Sequence, residues 1–391
     1  MDFELFHHIL SIDSTSGKER EMALWLYDHL EAPSKELMEV GDGTLNLLLS
    51  WGTPTVVFCT HMDTVPPYIA PQFPEGTLSG GHVHPRTWEG GGARWVQVPE
   101  GDAADSGRGR SERSERSSSG ESTLQDGGVV FGRGACDAKG QLFAMYTACK
   151  ELEAEGCEGF ALLLLSGEET GSWGAKAFSR TDFKAPFLIV GEPTDNKMVS
   201  ASKGTLSYDL KFTGVPFHSG YPECGVSAVD LFHQFYTKLQ AVDWGTDPVL
   251  GATTWNIGLL HSDNPQNILS PELTCRLYFR TTFVSHRKVQ EWMASAGQGA
   301  SCPAVQATPR GGDTPARYLT LEGFDQAPVA FGSDAPHLTG FGQKVICGPG
   351  SIKVAHRDDE HILLRDLETA IGQYKRMFAA LTAAQYPAET Q

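Results

Sequence analysis

The sequence predicts an α/β fold: a sheet with helices on both faces, and an inserted domain of ferredoxin-like β-α-β-β-α-β order. Three observations support this prediction. Apolar runs that suit buried strands alternate with helical patterns up to residue 198, as a sheet covered on both faces requires. Over residues 199–311 the order changes to strand, helix, two strands, helix and strand. Beyond residue 312 the first pattern resumes, so we expect residues 1–198 and 312–391 to form one domain that the other interrupts.

In the first domain, continuous apolar segments predict buried strands and periodic segments predict helices. The strands are "TVVFCT" (55–60), "GFALLLLSG" (159–167) and "APFLIVGEP" (185–193). The helix in "SGKEREMALWLYDHL" (16–30) opens with a capping box, because Glu19 follows Ser16 by three positions. The helix "KGQLFAMYTACKELEAEG" (139–156) stops at its last glycine. A final helix places apolar residues at helical spacing: Ile362, Leu367, Ile371, Tyr374 and Phe378.

The inserted domain is predicted from six consecutive segments. Its strands are "GTLSYDLKFTG" (204–214), "TTWNIGLLH" (253–261), "ELTCRLYFRTTF" (272–283) and "CPAVQATP" (302–309). Its helices are "GVSAVDLFHQFYTKLQAV" (225–242) and "SHRKVQEWMASA" (285–296). A Pro/Asn-rich loop separates the two central strands.

Composition and charge exclude several partners. The chain of 391 residues has 31 basic and 48 acidic residues, and its net charge of −17 argues against binding to nucleic acid or anionic membranes. Eight scattered cysteines without a Cys-x-x-Cys pair indicate reduced thiols. The acidic start "MDFELFHHIL" lacks a secretory signal, and no apolar run reaches the about 20 residues of a membrane span. We therefore expect a soluble, cytoplasmic protein.

Residues 75–128 fit neither domain. They are rich in Gly, Ser, Arg and Glu, and "SGRGRSERSERSSSGES" is predicted to be disordered. The segment could be a mobile excursion, a lid over a site, or an artefact of the gene sequence. Its His82 and His84 are weak candidates for a metal site.

Ionisable residues follow three of the predicted strands. His61 and Asp63 follow the first, Glu168 and Glu169 the second, and Glu192 the third. Because ligands of α/β sheets bind outside the carboxyl ends of the strands, these side chains can converge. Clustered carboxylates repel one another unless a cation neutralises them, and histidine with carboxylate suits zinc. The sequence therefore predicts a metal site at this edge.

Plainer interpretations of the same residues remain open. His61 with Asp63 fits a strand-end histidine beside a capping aspartate, and Asp137 in "GRGACDAKG" (132–140) fits a helix N-cap. Glu168 and Glu169 fit an acidic surface loop. In the chemical interpretation, Asp63 orients His61, Asp137 bridges two metals, and one of the two glutamates binds metal while the other takes a proton from water.

Five motifs in order carry a resemblance: "THMDTVP", "GRGACDAKG", "SGEETGSWGA", "GEPT" and "GPGSIKVAHRDDE". Together they resemble the two-zinc metallopeptidases and amidohydrolases that include acetylornithine deacetylase, succinyl-diaminopimelate desuccinylase, aminoacylase and glutamate carboxypeptidase. The likeness covers the chain except for residues 75–128. The resemblance implies a zinc-exopeptidase-like catalytic domain, and it implies that 199–311 is a lid and dimerisation domain.

The resemblance also assigns roles to residues. Two zinc ions, or cobalt or manganese, would be bound by His61, Asp137, Glu169, Glu192 and His356. His361 is the alternative candidate for the last of these ligands. Glu168 would be the general base, Asp63 would orient His61, and His218 would stabilise the oxyanion of the partner subunit. Substrate would be contacted by Asn267, Arg280 and Ser333, the last in the glycine-containing loop "FGSDAP" (331–336). For Arg280 a structural salt bridge is the alternative, and for His218 an exposed loop histidine.

The implied activity is metal-dependent hydrolysis of an N-acyl amino acid by a homodimer. The motifs favour acetylornithine deacetylase and a place in arginine biosynthesis. The alternatives are a succinyl-diaminopimelate desuccinylase, a di- or carboxypeptidase, or a catalytically silent relative whose cleft residues 75–128 cover. A glycosidase would also use paired carboxylates, but it has no need of His61 and His356.

Overall fold

The computed structural model describes residues 1–41, 43–78, 128–296 and 305–385. Its helices, in chain order, are α1 (Phe3–Ser11), α2 (Glu19–His29), α3 (Lys139–Ala154), α4 (Trp173–Phe178), α5 (Ala228–Gln240), α6 (His286–Ala296) and α7 (Leu364–Gln385). Its strands are β1 (Ser34–Gly41), β2 (Thr44–Trp51), β3 (Val56–His61), β4 (Val129–Phe131), β5 (Phe160–Leu165), β6 (Ala185–Val190), β7 (Met198–Ser202), β8 (Gly204–Thr213), β9 (Thr246–Asp247), β10 (Gly251–Ala252), β11 (Thr254–His261), β12 (Glu272–Thr281), β13 (Val305–Gly311), β14 (Ala316–Arg317), β15 (Gln326–Val329), β16 (Phe341–Ile346) and β17 (His361–Leu363).

The main sheet has the strand order β1-β2-β5-β3-β6-β16. β5, β3, β6 and β16 run parallel, while β1 and β2 form an antiparallel hairpin at one edge. All six residues of β3 and of β5 are buried, as their continuous apolar sequences predict. The four parallel strands therefore point their carboxyl ends at one edge of the sheet.

The two faces of the main sheet are covered differently. Helices α1, α2, α3 and α7 pack on one face around a core that includes Phe58, Phe143 and Tyr374. The other face is covered by the short helix α4, by residues 335–341 and by the small sheet of β14, β7 and β15. The α/β class is confirmed. On this second face, however, one helix and a small sheet cover the main sheet, where the sequence predicted helices alone.

A second sheet has the order β11-β12-β8-β13 and is antiparallel throughout. Helices α5 and α6 pack on one side of it around a separate core that includes Phe212, Phe235 and Phe279. The chain order β8-α5-β11-β12-α6-β13 is the ferredoxin-like order that the sequence predicts. Polar and half-buried residues such as Thr274, Tyr278 and Arg280 alternate with buried ones along β12, so the other side of this sheet is not part of that core.

The two segments that connect the sheets pass each other closely at Gly204 and Gly312. A Cβ atom on Gly204 would lie 2.5 Å from the Asp313 carbonyl oxygen, and one on Gly312 would lie 2.0 Å from the Thr205 carbonyl oxygen. Since only glycine permits so close a backbone approach, these positions fix how the second sheet meets the first.

Two local predictions were wrong. Helix α2 begins at Glu19 with Lys18 as its N-cap, and no side chain caps it. Ser16 does not cap the helix because its hydroxyl donates to Asp63 Oδ2 at 2.8 Å. Ile362 lies in strand β17, paired with Val130, and not in the last helix.

Most of the predicted insertion 75–128 lies outside the described residues, and so do His82 and His84. None of the described helices combines the length and the apolarity that a bilayer-spanning helix needs.

Candidate metal centre

The parallel strands of the main sheet deliver ionisable side chains to one edge. His61 ends β3, Glu168 and Glu169 follow β5, and Glu192 follows β6. The loop after β16 leads to His356. These residues come from four different strand ends, and the parallel order of the strands brings them together.

Asp137 lies between the two histidines. Its Oδ1 is 3.1 Å from His61 Nε2, and its Oδ2 is 3.4 Å from His356 Nε2. Two groups of possible ligand atoms result, His61 with Asp137 and Glu192, and Asp137 with Glu169 and His356. Within each group the atoms lie within 4.8 Å of one another. Asp137 does not cap helix α3, whose N-cap is Ala138.

His356 and Glu169 form the exposed part of the centre. His356 Nε2 is 2.8 Å from Glu169 Oε1, and about half of the His356 side chain is exposed. His356 also has a φ of 62°, a left-handed conformation that costs a non-glycine residue about 1–3 kcal/mol. His361 belongs to neither group of ligand atoms, and its Nδ1 lies 2.7 Å from the Asp359 carbonyl oxygen.

The carboxylates around both histidines raise their pKa values. Hydrogen bonds to Asp137 and Glu169 raise the pKa of His356 to about 10. Burial acts to lower the pKa of His61, but hydrogen bonds to Asp137 and Asp63 outweigh it and raise the pKa well above its usual value. At neutral pH a metal must therefore displace protons from these rings, and its binding weakens as the pH falls.

The remaining acids show why a cation suits this edge. Burial, and then neighbouring carboxylates, raise the pKa values of Glu168 and Glu192 well above the usual range. Burial also raises the pKa of nearby Asp334 to about 6. A divalent cation among these groups would offset both the desolvation and the repulsion. The two sets of one histidine and two carboxylates also match the three protein ligands of open zinc sites, so the residues fit two such metals.

Asp63 contacts both His61 and the loop that carries the two glutamates. Its backbone carbonyl oxygen is 3.0 Å from His61 Nδ1, and its Oδ1 is 3.4 Å from the same atom. The two carboxylate oxygens of Asp63 also accept the backbone N–H groups of Glu168 and Glu169, at 3.0 and 3.1 Å. Asp63 therefore lies against the Nδ1 side of His61 and also holds the loop that carries both glutamates.

A cleft of about 490 Å³ lies over these side chains, between the main sheet and the second sheet. Asp137, Glu168, Glu169, Glu192 and His356 line it, and so do two of the three residues expected to contact substrate, Arg280 and Ser333. His218 and Asn267 do not line it within this chain. They lie beside each other on two neighbouring exposed loops, where Ser219 N donates to the Asn267 carbonyl oxygen.

Three buried charged residues near the centre were missed by the sequence analysis. Asp334 is 2% exposed, and its Oδ1 has no hydrogen-bond partner among the described residues. Arg133 and Glu360, each 1% exposed, form an ion pair at 2.6 Å beside Asp137. Arg133 and Glu360 lie inside two of the five motifs, and Asp334 lies in the loop "FGSDAP" (331–336). The missing signal was burial, because "HRDDE" (356–360) presents three acids and only Glu360 among them is buried.

Comparison with known proteins agrees with this geometry. A family model described as peptidase family M20/M25/M40 matches residues 112–380, more than half of the chain. The chain is 29% identical over 403 residues to a probable carboxypeptidase of Aspergillus clavatus, across 95% of this chain and 86% of the relative.

Two solved structures share the fold. The crystal structure of a tripeptidase from Staphylococcus aureus superposes with a TM-score of 0.72 at 18% identity, over 97% of each chain. A structure from Bacillus subtilis, described as a dinuclear metal-binding peptidase, superposes with a TM-score of 0.61 at 11% identity, over 97% of each chain.

The choice between His356 and His361 can be tested by metal content. We expect His356→Ala to lose the metal of its group, because that group then keeps only two ligands. His361→Ala is the matched control and should keep both metals, since its ring contacts neither group. Elemental analysis of the purified variants after dialysis against Zn²⁺ measures the stoichiometry. Equal metal content in the two variants would contradict the assignment.

Proposed function

Because the chain belongs to peptidase family M20/M25/M40, we propose that it is a metal-dependent exopeptidase of carboxypeptidase type. The proposed reaction releases an amino acid with a free α-carboxylate from the end of a short peptide. The observation that carries the proposal is Arg280, which lines the cleft opposite the ligand groups.

Arg280 is suited to bind a substrate carboxylate. Its guanidinium lies 5.0 Å from the centre of the Tyr278 ring, and no carboxylate pairs with it among the residues that the structure describes. Burial, and then the positive charge of Arg280, lower the pKa of neighbouring Lys203, so two cations lie close together. A guanidinium in this position can bind a carboxylate through two hydrogen bonds. The structural salt bridge considered for Arg280 is not present in the described part of the chain.

The chain's own residues would share the reaction as follows. One metal would be held by His61, Asp137 and Glu192, and the other by Asp137, Glu169 and His356. When bound, the metals supply the Lewis acidity that polarises the amide carbonyl and acidifies water. Glu168 takes the proton of the attacking water and donates it to the nitrogen of the leaving amino acid. Ser333 and Arg280 orient the carboxylate end of the substrate, and zinc, cobalt or manganese each suit the donors.

The fungal relative is named a probable carboxypeptidase, which favours a peptide over an N-acetyl amino acid as substrate. Acetylornithine deacetylase activity, and with it a place in arginine biosynthesis, has no support among these relatives. Both reactions release an amino acid with a free carboxylate, so Arg280 would serve either in the same way. The two reactions differ on the acyl side of the scissile amide. A covering role for residues 75–128 stays a prediction, because 79–127 lie outside the described ranges.

A substrate panel tests the proposal. We expect hydrolysis of dipeptides and C-terminally free tripeptides, with little turnover of the same peptides amidated at the C-terminus, because Arg280 then loses its partner. N-acetyl-ornithine and N-succinyl-diaminopimelate belong in the same panel, each with and without a chelator. Faster cleavage of N-acetyl-ornithine than of any peptide would replace the carboxypeptidase proposal. Activity that persists in the presence of a chelator would contradict the proposed dependence on metal.

The role of Glu168 can be separated from metal binding. We expect Glu168→Gln to keep both metals and lose about 10²–10⁴-fold in kcat, the usual range for removal of a general base. Glu158→Gln, an exposed acid before the amino end of β5, is the matched control and should behave like the parent. Steady-state kinetics with elemental analysis of the same samples measures both quantities. A kcat near the parent value would refute the base assignment.

We also propose a homodimer that forms through the second sheet. Large apolar side chains are exposed around His218, namely Val215, Phe217, Tyr221, Val226, Val229 and Ile268. Leu259 and Leu260, on the edge strand β11, are 70% and 56% exposed. Exposed apolar surface of this extent is typical of a protein interface. Association through it would allow His218 and Asn267 to reach the cleft of the partner subunit.

The dimer is tested by mass in solution. We expect the parent to have twice its chain mass of 42.4 kDa in light scattering, and Leu259→Glu with Leu260→Glu to have the single-chain mass. Leu24→Glu is the control, because this leucine is exposed on α2, away from the second sheet. A monomeric parent, or a double variant that stays dimeric, would contradict the proposal.

A further inference from the structure

A buried ion pair lies directly behind Asp137. Arg133 Nη1 donates to Glu360 Oε2 at 2.6 Å, and each side chain is 1% exposed. Such a pair is weak evidence for stability, since desolvation of two charges offsets most of their attraction. Its position between two ligand-bearing loops points to another role.

Glu360 organises the backbone that leads to Asp137. Its Oε1 accepts the N–H groups of Gly134, Cys136 and Asp137 at 3.0, 3.1 and 3.0 Å. Three converging amides and one guanidinium satisfy this carboxylate completely, as burial of a charge requires. The loop also has no space in which to relax, because a Cβ on Gly134 would meet the Thr64 and Lys139 side chains at 2.9 Å.

Arg133 fixes the turn that follows His356. Its Nη1 also donates to the Arg357 carbonyl oxygen at 3.1 Å, and its Nε donates to the Pro67 carbonyl oxygen at 3.1 Å. His356 has the left-handed φ of 62°, so its conformation depends on contacts with neighbouring structure. The Arg357 carbonyl belongs to the residue that follows His356, so Arg133 holds the chain directly beyond that histidine.

We propose that the Arg133–Glu360 pair is a positioning device for the metal centre, which holds Asp137 and His356 at the separation that two metals need. Glu360 sets the backbone of Asp137, the residue common to both ligand groups. Arg133 ties that loop to the turn of His356. The inference rests on the metal-dependent function proposed above. It assigns to these two residues the role that supporting side chains commonly have around metal ligands.

The test measures metal affinity and not turnover. Protein stripped of metal is titrated with Zn²⁺ against a chromophoric chelator, and the unfolding midpoint of the same stripped protein is recorded. We expect Glu360→Gln to bind Zn²⁺ about 10–100-fold more weakly, the usual effect of losing a residue that supports a metal ligand. Asp359→Asn is the matched control, because Asp359 is the neighbouring acid of the same loop and pairs only with exposed Arg357.

Two further variants separate positioning from folding. Arg133→Met with Glu360→Gln removes both charges but keeps a side-chain oxygen that can accept the three backbone N–H groups. It should therefore stay folded, yet bind Zn²⁺ weakly because the link to the turn of His356 is lost. Tyr374→Phe removes the buried hydrogen bond from Tyr374 to the Cys347 carbonyl and lowers stability without altering any candidate ligand. It should keep the parent's affinity for Zn²⁺.

The outcomes distinguish this inference from the proposed function. Parent-like Zn²⁺ affinity in Glu360→Gln and in the double variant would overturn the inference alone. Equal weakening in Tyr374→Phe would overturn it too, since loss of stability would then explain the effect. A parent that binds two Zn²⁺ but hydrolyses no member of the substrate panel would refute only the function. A parent that binds no divalent metal would overturn both.

Discussion

The repulsion among carboxylates at one edge of the main sheet is the constraint on which the rest of the site depends. Asp137, Glu168, Glu169, Glu192 and Asp334 reach that edge from four loops, and burial together with mutual repulsion raises the pKa values of three of them. A protein that only needed to fold would not keep such groups together. Two cations among these groups would neutralise them, and Asp137, which lies between both histidines, would be a ligand common to both.

Two buried carboxylates, Asp63 and Glu360, hold the loops that carry the candidate ligands. Asp63 accepts two backbone amides of the glutamate loop while it faces His61, so one carboxylate positions that loop and the histidine together. Glu360 does the same for the Asp137 loop through three amides. In both cases a buried carboxylate is satisfied by backbone N–H groups, which orient a loop without adding another charged side chain to the cleft.

The second sheet supplies the other half of the cleft. Arg280 and the Ser333 loop face the ligand groups from within the chain, whereas His218 and Asn267 are exposed beside an apolar surface. In the proposed function, one chain would recognise the substrate carboxylate, and a second chain would contribute His218 and Asn267. The close crossing at Gly204 and Gly312 sets the angle at which the two halves meet.

The sequence by itself determined the α/β class, the ferredoxin-like order of the second sheet and the identity of the ligand candidates. These features depend on local periodicity and on residue type at strand ends, which are visible along a chain. It did not determine which charged residues of a motif are buried. Ser16 was expected to cap a helix but binds Asp63, and "HRDDE" (356–360) does not distinguish Glu360 from two exposed neighbours.

Only the tertiary structure decided those assignments, because burial and hydrogen-bond partners depend on residues far away in sequence. Glu360 meets the Asp137 backbone across more than 200 residues, and Arg280 meets the ligand groups only after two sheets have packed across their glycine crossing. The motif already favoured His356 over His361 as the ligand candidate, and the fold adds the physical reason. His356 lies in the loop after β16 and His361 begins β17, and of the two only His356 lies close to Asp137.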